Sequence, residues 1–306
     1  MTLGGRFFLA GVAVGLAGLG LLAGQAPFPP SAAALRLHPS TAALLSLGAL
    51  LMVIGCFACV IQPALDPAAG ARVSVATVRT SVAMFVTALT LANIFGLPLV
   101  LTLQRGIAAA GPGQRQVGPL GLAYLIASSE IPLLGVLWFR LVRPGTMSWR
   151  ELGVRLRPIG EQVQLGLLGG IGLFATAGIF GALLTRLGIR QNQYERFQGI
   201  EGAPLALFAL ALLAGCVLAP LVEELFFRGY VFQTFWQRRG PWWSYLFSAL
   251  LFAAAHANLP AAAPIFVMGL MLAYLFRRTG SIVPGMIAHG LNNAISFSLL
   301  YWGFRG

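Results

Sequence analysis

The chain has 306 residues, of which 58% are apolar and only 9% charged, and its mean hydropathy is +0.83. Soluble domains are about 45–50% apolar and about 25% charged. This composition therefore excludes a soluble enzyme, a disordered chain and, despite a formal charge of +12, an ordinary nucleic-acid binder. What remains is an all-α polytopic integral membrane protein, whose partner is the lipid bilayer.

Apolar runs long enough to cross a hydrocarbon core of about 30 Å as helices occupy roughly 7–24, 41–61, 82–103, 117–139, 162–185, 204–222, 243–256, 261–276 and 281–302. They predict a bundle of eight or nine transmembrane helices. Eight applies if the short run at 243–256 and its successor form one re-entrant pair. The first run follows a short basic stretch ending at Arg6 and precedes Gly24-Gln25-Ala26, which resembles a signal-peptidase site. Its apolar length of about 18 residues exceeds the usual 7–15 of a cleaved signal, so a retained anchor is expected.

All 20 positive charges are Arg, and their placement predicts orientation. With nine spans, Arg6, Arg72, Arg79, Arg140, Arg143, Arg150, Arg155, Arg157, Arg238, Arg239, Arg277 and Arg278 fall on one side. Arg36, Arg105, Arg115, Arg186, Arg190, Arg196 and Arg305 fall on the other, a ratio of 12 to 7. The positive-inside bias then places the N-terminus and the 140–157 loop in the cytoplasm. Small-xxx-small spacings at Gly11/Gly15, Gly20/Gly24, Gly166/Gly170 and Gly269/Ala273 would let helix backbones approach closely. Cys56 and Cys59 form a C-x-x-C inside an apolar helix, where core filling is the expected role.

Eight acidic residues and three His make a short list of polar groups. Asp66, Glu151, Glu161, Glu195, Glu201 and His38 belong to loops or helix ends, where water solvates them. Glu130 lies within the fourth span beside Ser128 and Ser129, without an identifiable partner. The rest concentrate in the last hundred residues. Glu223, Glu224, His256 and His289 sit in or at the ends of apolar helices, and ionisable groups at membrane depth are functional candidates.

Arg228 is four residues after Glu224, the spacing of a same-face ion pair. Glu223 projects about 100° away on a 3.6-residue helix. It has no local counter-ion, which suits it to accept a proton. His289 and Asn293 share a helical face, as do Phe252 and His256. At 1.5 Å per residue, Glu223 and His256 lie roughly 20 Å from the cytoplasmic ends and His289 roughly 12 Å. There is no H-E-x-x-H zinc-protease helix and no G-x-S-x-G.

Glu223-Glu224-Leu225-Phe226-Phe227-Arg228 reads E-E-x-x-x-R, Phe252 to His256 reads F-x-x-x-H, and His289 to Asn293 reads H-x-x-x-N. Between them lies a glycine-containing stretch, Phe266-Val267-Met268-Gly269, followed by Thr279-Gly280-Ser281-Ile282. In this order they resemble the CPBP family of intramembrane proteases, which includes type II CAAX prenyl endopeptidases and Abi-type bacteriocin-immunity proteins. Arg150-Glu151-Leu152-Gly153-Val154-Arg155 is similar to a segment that precedes the core in bacterial members. The resemblance covers about 204–298, with Ala273 standing where the third motif often has a second Gly. It divides the chain into an N-terminal transmembrane region at 1–160, about four helices, and a catalytic transmembrane region at 161–306.

The resemblance implies an intramembrane endopeptidase acting on a membrane-associated peptide or protein, in the bacterial inner membrane. Glu223 and His256 would activate water, and His289 and Asn293 would hold the oxyanion. Glu224, Arg228 and Phe252 would be structural supports. Two chemistries are open. One needs no metal; in the other, Glu223, His256 and His289 ligate zinc. The metal-free version is the expected one, because it gives all four polar residues a role. The alternative to an enzyme is a non-proteolytic transporter, immunity or scaffold protein that keeps the polar cluster for binding.

Overall fold

In a computed structural model the described residues are 6, 7, 9–14, 16, 17, 39–65, 78–110, 117–156, 158–189 and 198–303. Much of the first apolar run lies outside them, as do Arg36, His38, Asp66, Arg72, Arg115, Arg157, Arg190, Glu195, Arg196 and Arg305. Every other apolar run is a helix. These are α1 (Pro39–Leu65), α2 (Val78–Ala110), α3 (Pro119–Leu137, prolonged by a π-helical turn Trp138–Val142) and α4 (Ile159–Arg186). They continue with α5 (Leu205–Arg239), α6 (Pro241–Ala255), α7 (Ala262–Thr279) and α8 (Val283–Tyr301). No strand occurs among the described residues. The protein is a polytopic, all-helical membrane protein.

By length and apolar composition, six of these helices can cross a membrane: α1 to α5 and α7. α6 has only 15 residues. α8 has 19, but its middle carries His289, Asn292 and Asn293, which lower its apolar character. The two helices that fall short are thus among those that carry the polar motifs.

The chain divides into two compact units, Met1–Thr90 with Trp138–Thr146 and Leu91–Leu137 with Met147–Gly306. In the first, α1 packs on the π turn 138–142. A Cβ at Gly11 would lie 2.6 Å from the Gly48 carbonyl oxygen, so a glycine there sets the approach to α1. Cys56 and Cys59 form no disulfide, and Cys56 is fully buried. Arg140, expected in a solvated loop, is 1% exposed within the π turn.

The second unit holds the motifs. Its largest helix interface is α4 against α8. Here the Gly166/Gly170 spacing does what its pattern suggested: Cβ atoms at Gly166 and Gly170 would meet Ile287 at 2.6 Å and Leu291 at 2.8 Å. α6 and α7 form an adjacent pair, and α7 also packs on α4. The first part of α5 packs on α3 around Leu122, Phe208 and Ala211, with Phe208 stacked on Tyr301 at 4.1 Å.

Punctuation between these helices is readable in the residues. Gly240 (φ 85°) ends α5, and Pro241 opens α6 at the position where its missing N–H costs nothing. Gly280 (φ 63°) ends α7, and Pro284 opens α8. The loop before α4 is tied to these ends. Ser148 and Glu151 form a reciprocal box, with Ser148 N–H donating to Glu151 Oε2 at 2.7 Å and Glu151 N–H to Ser148 Oγ at 3.3 Å. Leu152 is fully buried, Gln233 Nε2 donates to the Glu151 carbonyl at 2.7 Å, and Ser281 Oγ donates to the Arg155 carbonyl at 2.7 Å. The Arg150–Arg155 segment therefore clips α5 to the α7–α8 turn.

Candidate active site

α5 is not a regular α-helix. Residues 214–218 and 224–232 are π-helical and flank a five-residue α segment, Ala219–Glu223. Pro220 supplies the cause of the first distortion. It has no N–H, and its ring would clash with the carbonyl four residues back. The ladder shifts register, so that Ala219 N–H bonds the Ala214 carbonyl, five residues back. In that register the next acceptor, Gly215, would pair with Pro220, which cannot donate. The Gly215 carbonyl instead accepts Asn293 Nδ2–H from α8 at 2.8 Å.

Glu223 ends the α segment and Glu224 begins the second π segment. Glu224 and Arg228 form the expected pair, Nη1 to Oε1 at 2.7 Å, with neither side chain exposed. Arg228 is further satisfied by the Gly269 carbonyl at 3.2 Å and by the face of Phe252, 4.3 Å from its guanidinium carbon. Charge, acceptor and aromatic face thus come from α5, α7 and α6.

Both glutamates meet one imidazole. His289 Nδ1 stands 3.7 Å from Glu223 Oε2 and 3.9 Å from Glu224 Oε1. α8 places the imidazole against both. These separations exceed hydrogen-bond length, and Glu223 Oε2, Glu224 Oε2 and His289 Nδ1 are buried atoms with no bonding partner. Space for the Glu224 carboxylate depends on Gly285, where a Cβ would lie 2.5 Å from Glu224 Oε2.

His256 caps the C-terminus of α6, followed by Ala257 in a left-handed conformation (φ 46°). Its Nδ1 lies 2.8 Å from the Phe252 carbonyl oxygen. A carbonyl only accepts, so Nδ1 carries the hydrogen and Nε2 offers a lone pair. Phe252 also separates the two imidazoles, its ring centroid lying 4.8 Å from His256 and 5.7 Å from His289.

A cavity of about 180 Å³ opens beside these rings, lined on its polar side by His256, His289, Asn292, Asn293 and Ser296. Its apolar wall includes Phe252, Ile265, Met268 and Phe297. Glu223 does not line this cavity; its recorded contact with the site is through His289. Glu130, which lacked a partner in the sequence, is 6% exposed on α3 and accepts a bond from Ser129 Oγ at 3.1 Å. It lies within electrostatic reach of Glu223. Asn292 and the Gly215 carbonyl are the site groups that sequence reading missed, and the Asn next to H-x-x-x-N was the available signal; Glu130 was noted at mid-span, but not its neighbour.

Among the described residues, no group of three or more His, Cys, Asp or Glu side chains is arranged to hold a metal ion. Glu223, His256 and His289 as placed do not fit a zinc centre.

The site is therefore a polar cluster sunk into a helical membrane protein, with carboxylates and imidazoles beside a small cavity. Residues 205–295 match the family described as type II CAAX prenyl endopeptidase Rce1-like. The family resemblance holds over the segment that carries the four motifs. The chain is 27% identical over 134 residues to a Bacillus subtilis (strain 168) protein named "Putative membrane peptidase YdiL", covering 40% of this chain and 53% of that one. It is 36% identical over 85 residues to an "Uncharacterized 24.3 kDa protein" of Escherichia coli, covering 26% of this chain and 39% of that one. The chain thus spans about half the length, or less, of these relatives. No solved structure matches it.

Proposed function

We propose that the protein is an intramembrane endopeptidase that hydrolyses a peptide bond of a membrane-associated peptide or protein. The observation that carries this reading is the convergence of His256, His289 and Asn293 on one cavity, with Glu223 held against His289, inside the segment that matches the Rce1-like family.

The lone pair on His256 Nε2 holds a water molecule in the cavity. Glu223, whose side chain keeps 16% exposure but stands behind His289 rather than in the cavity wall, accepts a proton from that water through one bridging water as the attacking oxygen meets the scissile carbonyl carbon. The carbonyl π electrons move to oxygen, and His289 and Asn293 donate hydrogen bonds to the resulting oxyanion. Once protonated, Glu223 presents an O–H towards His289 Nδ1, which leaves the His289 hydrogen on Nε2 for the oxyanion. Collapse of the intermediate breaks the C–N bond, and the departing amine takes the proton from Glu223. Glu224, Arg228 and Phe252 hold this geometry without touching the reacting atoms. The protein works in a bacterial inner membrane with its N-terminus in the cytoplasm.

A Glu223→Gln protein compared with the native one in intact membranes tests the reading. Peptides that accumulate with the variant and are cut by the purified native protein are the expected result. No difference in membrane peptides between the two would sink it. The metal-free chemistry is tested on the same purified protein by strong chelation with bound-metal analysis. Cleavage should persist. Stoichiometric zinc whose removal abolishes activity and whose return restores it would overturn this part alone.

A further inference from the structure

Asn293 is the oxyanion donor of the reaction proposed above, yet a primary amide on a free side chain can present either its oxygen or its nitrogen to a substrate. Only one orientation is useful for an oxyanion. Around Asn293 the structure has two further groups that fix the choice. Asn292 Nδ2–H donates to Asn293 Oδ1 at 3.2 Å, and Asn293 Nδ2–H donates to the Gly215 carbonyl at 2.8 Å. Oxygen and nitrogen of the amide are thereby assigned at once, and one N–H of Asn293 remains for the cavity that the residue lines.

We propose that Asn292 and the Gly215 carbonyl are a two-point clamp that sets the Asn293 amide for catalysis, and that Pro220 arms the clamp by leaving that carbonyl without a helical donor. Asn292 and Pro220 are positioning residues, acting only through Asn293. The proposal rests on the endopeptidase reading for its kinetic consequence but on the hydrogen bonds alone for its geometry.

Each part follows from the chain. Asn292 is 7% exposed, so water does not compete freely for its amide. It is held from its own backbone side by Ser296 Oγ, which donates to the Asn292 carbonyl at 2.9 Å. Gly215 lacks a side chain where a Cβ would run into the Phe297 ring, so α8 can approach closely enough for Asn293 to reach the carbonyl. Replacing Pro220 with Ala restores an N–H at the position the π register requires. The Gly215 carbonyl then gains a partner within its own helix, and Asn293 loses its fixed acceptor.

The test uses full-length protein in liposomes and, as probe, an internally quenched apolar membrane peptide that the native protein cuts. Asn292→Ala, Asn292→Asp and Pro220→Ala are each expected to lower kcat at least about tenfold, within the range for a lost oxyanion donor. KM should change less than about twofold, since the clamp acts on the transition state and not on binding. Asn292→Asp replaces a donor by an acceptor facing Asn293 Oδ1, and should cost at least as much as Asn292→Ala. In an Asn293→Ala background none of the three should cost anything more. Losses that persist there, or an unchanged kcat in the single variants, would overturn the clamp.

A second readout is independent of activity. The chain has five asparagines, so the side-chain amide NMR spectrum of ¹⁵N-Asn protein in micelles can be assigned by single substitution. The Asn293 NH₂ pair should be split widely and exchange slowly in the native protein, and should collapse towards free-amide values in Asn292→Ala and Pro220→Ala. If Asn293→Ala retains full kcat, the oxyanion role fails while these spectra still decide the clamp. Unchanged Asn293 resonances in both variants would refute it.

Discussion

Glu223 and Glu224 are chemically identical neighbours with opposite situations. Glu224 faces a buried guanidinium at 2.7 Å, whereas Glu223 faces an imidazole at 3.7 Å. Removing the charge of Glu224 strands Arg228 in an apolar setting, which typically costs about 3–5 kcal/mol. Glu224→Gln should therefore lower thermal stability and yield in detergent. Glu223→Gln should leave both near native while abolishing cleavage. Equal stability and equal residual activity in the two variants would contradict this division. The Glu224–Arg228 pair was legible in the sequence because i, i+4 contacts are local. The shared contact of both glutamates with His289 was not, since it depends on where α8 docks. The bond from Asn293 to Gly215 spans 78 residues and rests on a proline-induced register shift, which no periodicity reports.

At the scale of helices, composition and spacing predicted element existence well. Eight of the nine apolar runs reappear as α1 to α8, most ends shifted by a few residues, while the run at 204–222 is prolonged to Arg239. Length and hydropathy are properties of the chain itself, so this was to be expected. What they could not supply was the close approach of α8 to α5. Gly290 stands directly on the Cys216 carbonyl, so that a Cβ there has no room, and the atom it meets is backbone rather than a movable side chain. Gly290→Ala should force α8 away from α5, at an overpacking cost of about 1–3 kcal/mol. Because Glu223 and Gly215 sit on α5 while His289 and Asn293 sit on α8, activity should fall further than stability. Thermal unfolding and cleavage measured on the same preparation check this; a variant with native activity would show that the glycine is not needed for the fit. The Gly269 carbonyl gives a similar lesson. The glycine was readable as a packing residue, but its role as an acceptor for Arg228 needed the fold.

At the scale of the whole molecule, the proposed topology gives the basic residues and the proposed site a common direction. Arg150 is exposed in the loop clipped beneath the α7–α8 turn. On the proposed topology the Arg asymmetry puts it on the cytoplasmic side. In a background without the three native cysteines, Arg150→Cys should react with an impermeant maleimide only after cells are permeabilised. Labelling of intact cells would invert the topology. The same axis gives meaning to the shortness of α6, which leaves the basic end of α5 at Pro241 and stops at His256. Fifteen residues rise about 22 Å, against a hydrocarbon layer of about 30 Å. If α6 faces lipid, the bilayer beside it would thin to meet that deficit and bring interfacial water down towards His256, where the proposed reaction uses it. For the proposed endopeptidase the lipid would then be a working part: cleavage should be fastest in liposomes of short-chain phospholipid and should fall as acyl chains lengthen at constant protein folding. A rate indifferent to chain length would mean that water reaches His256 by another route.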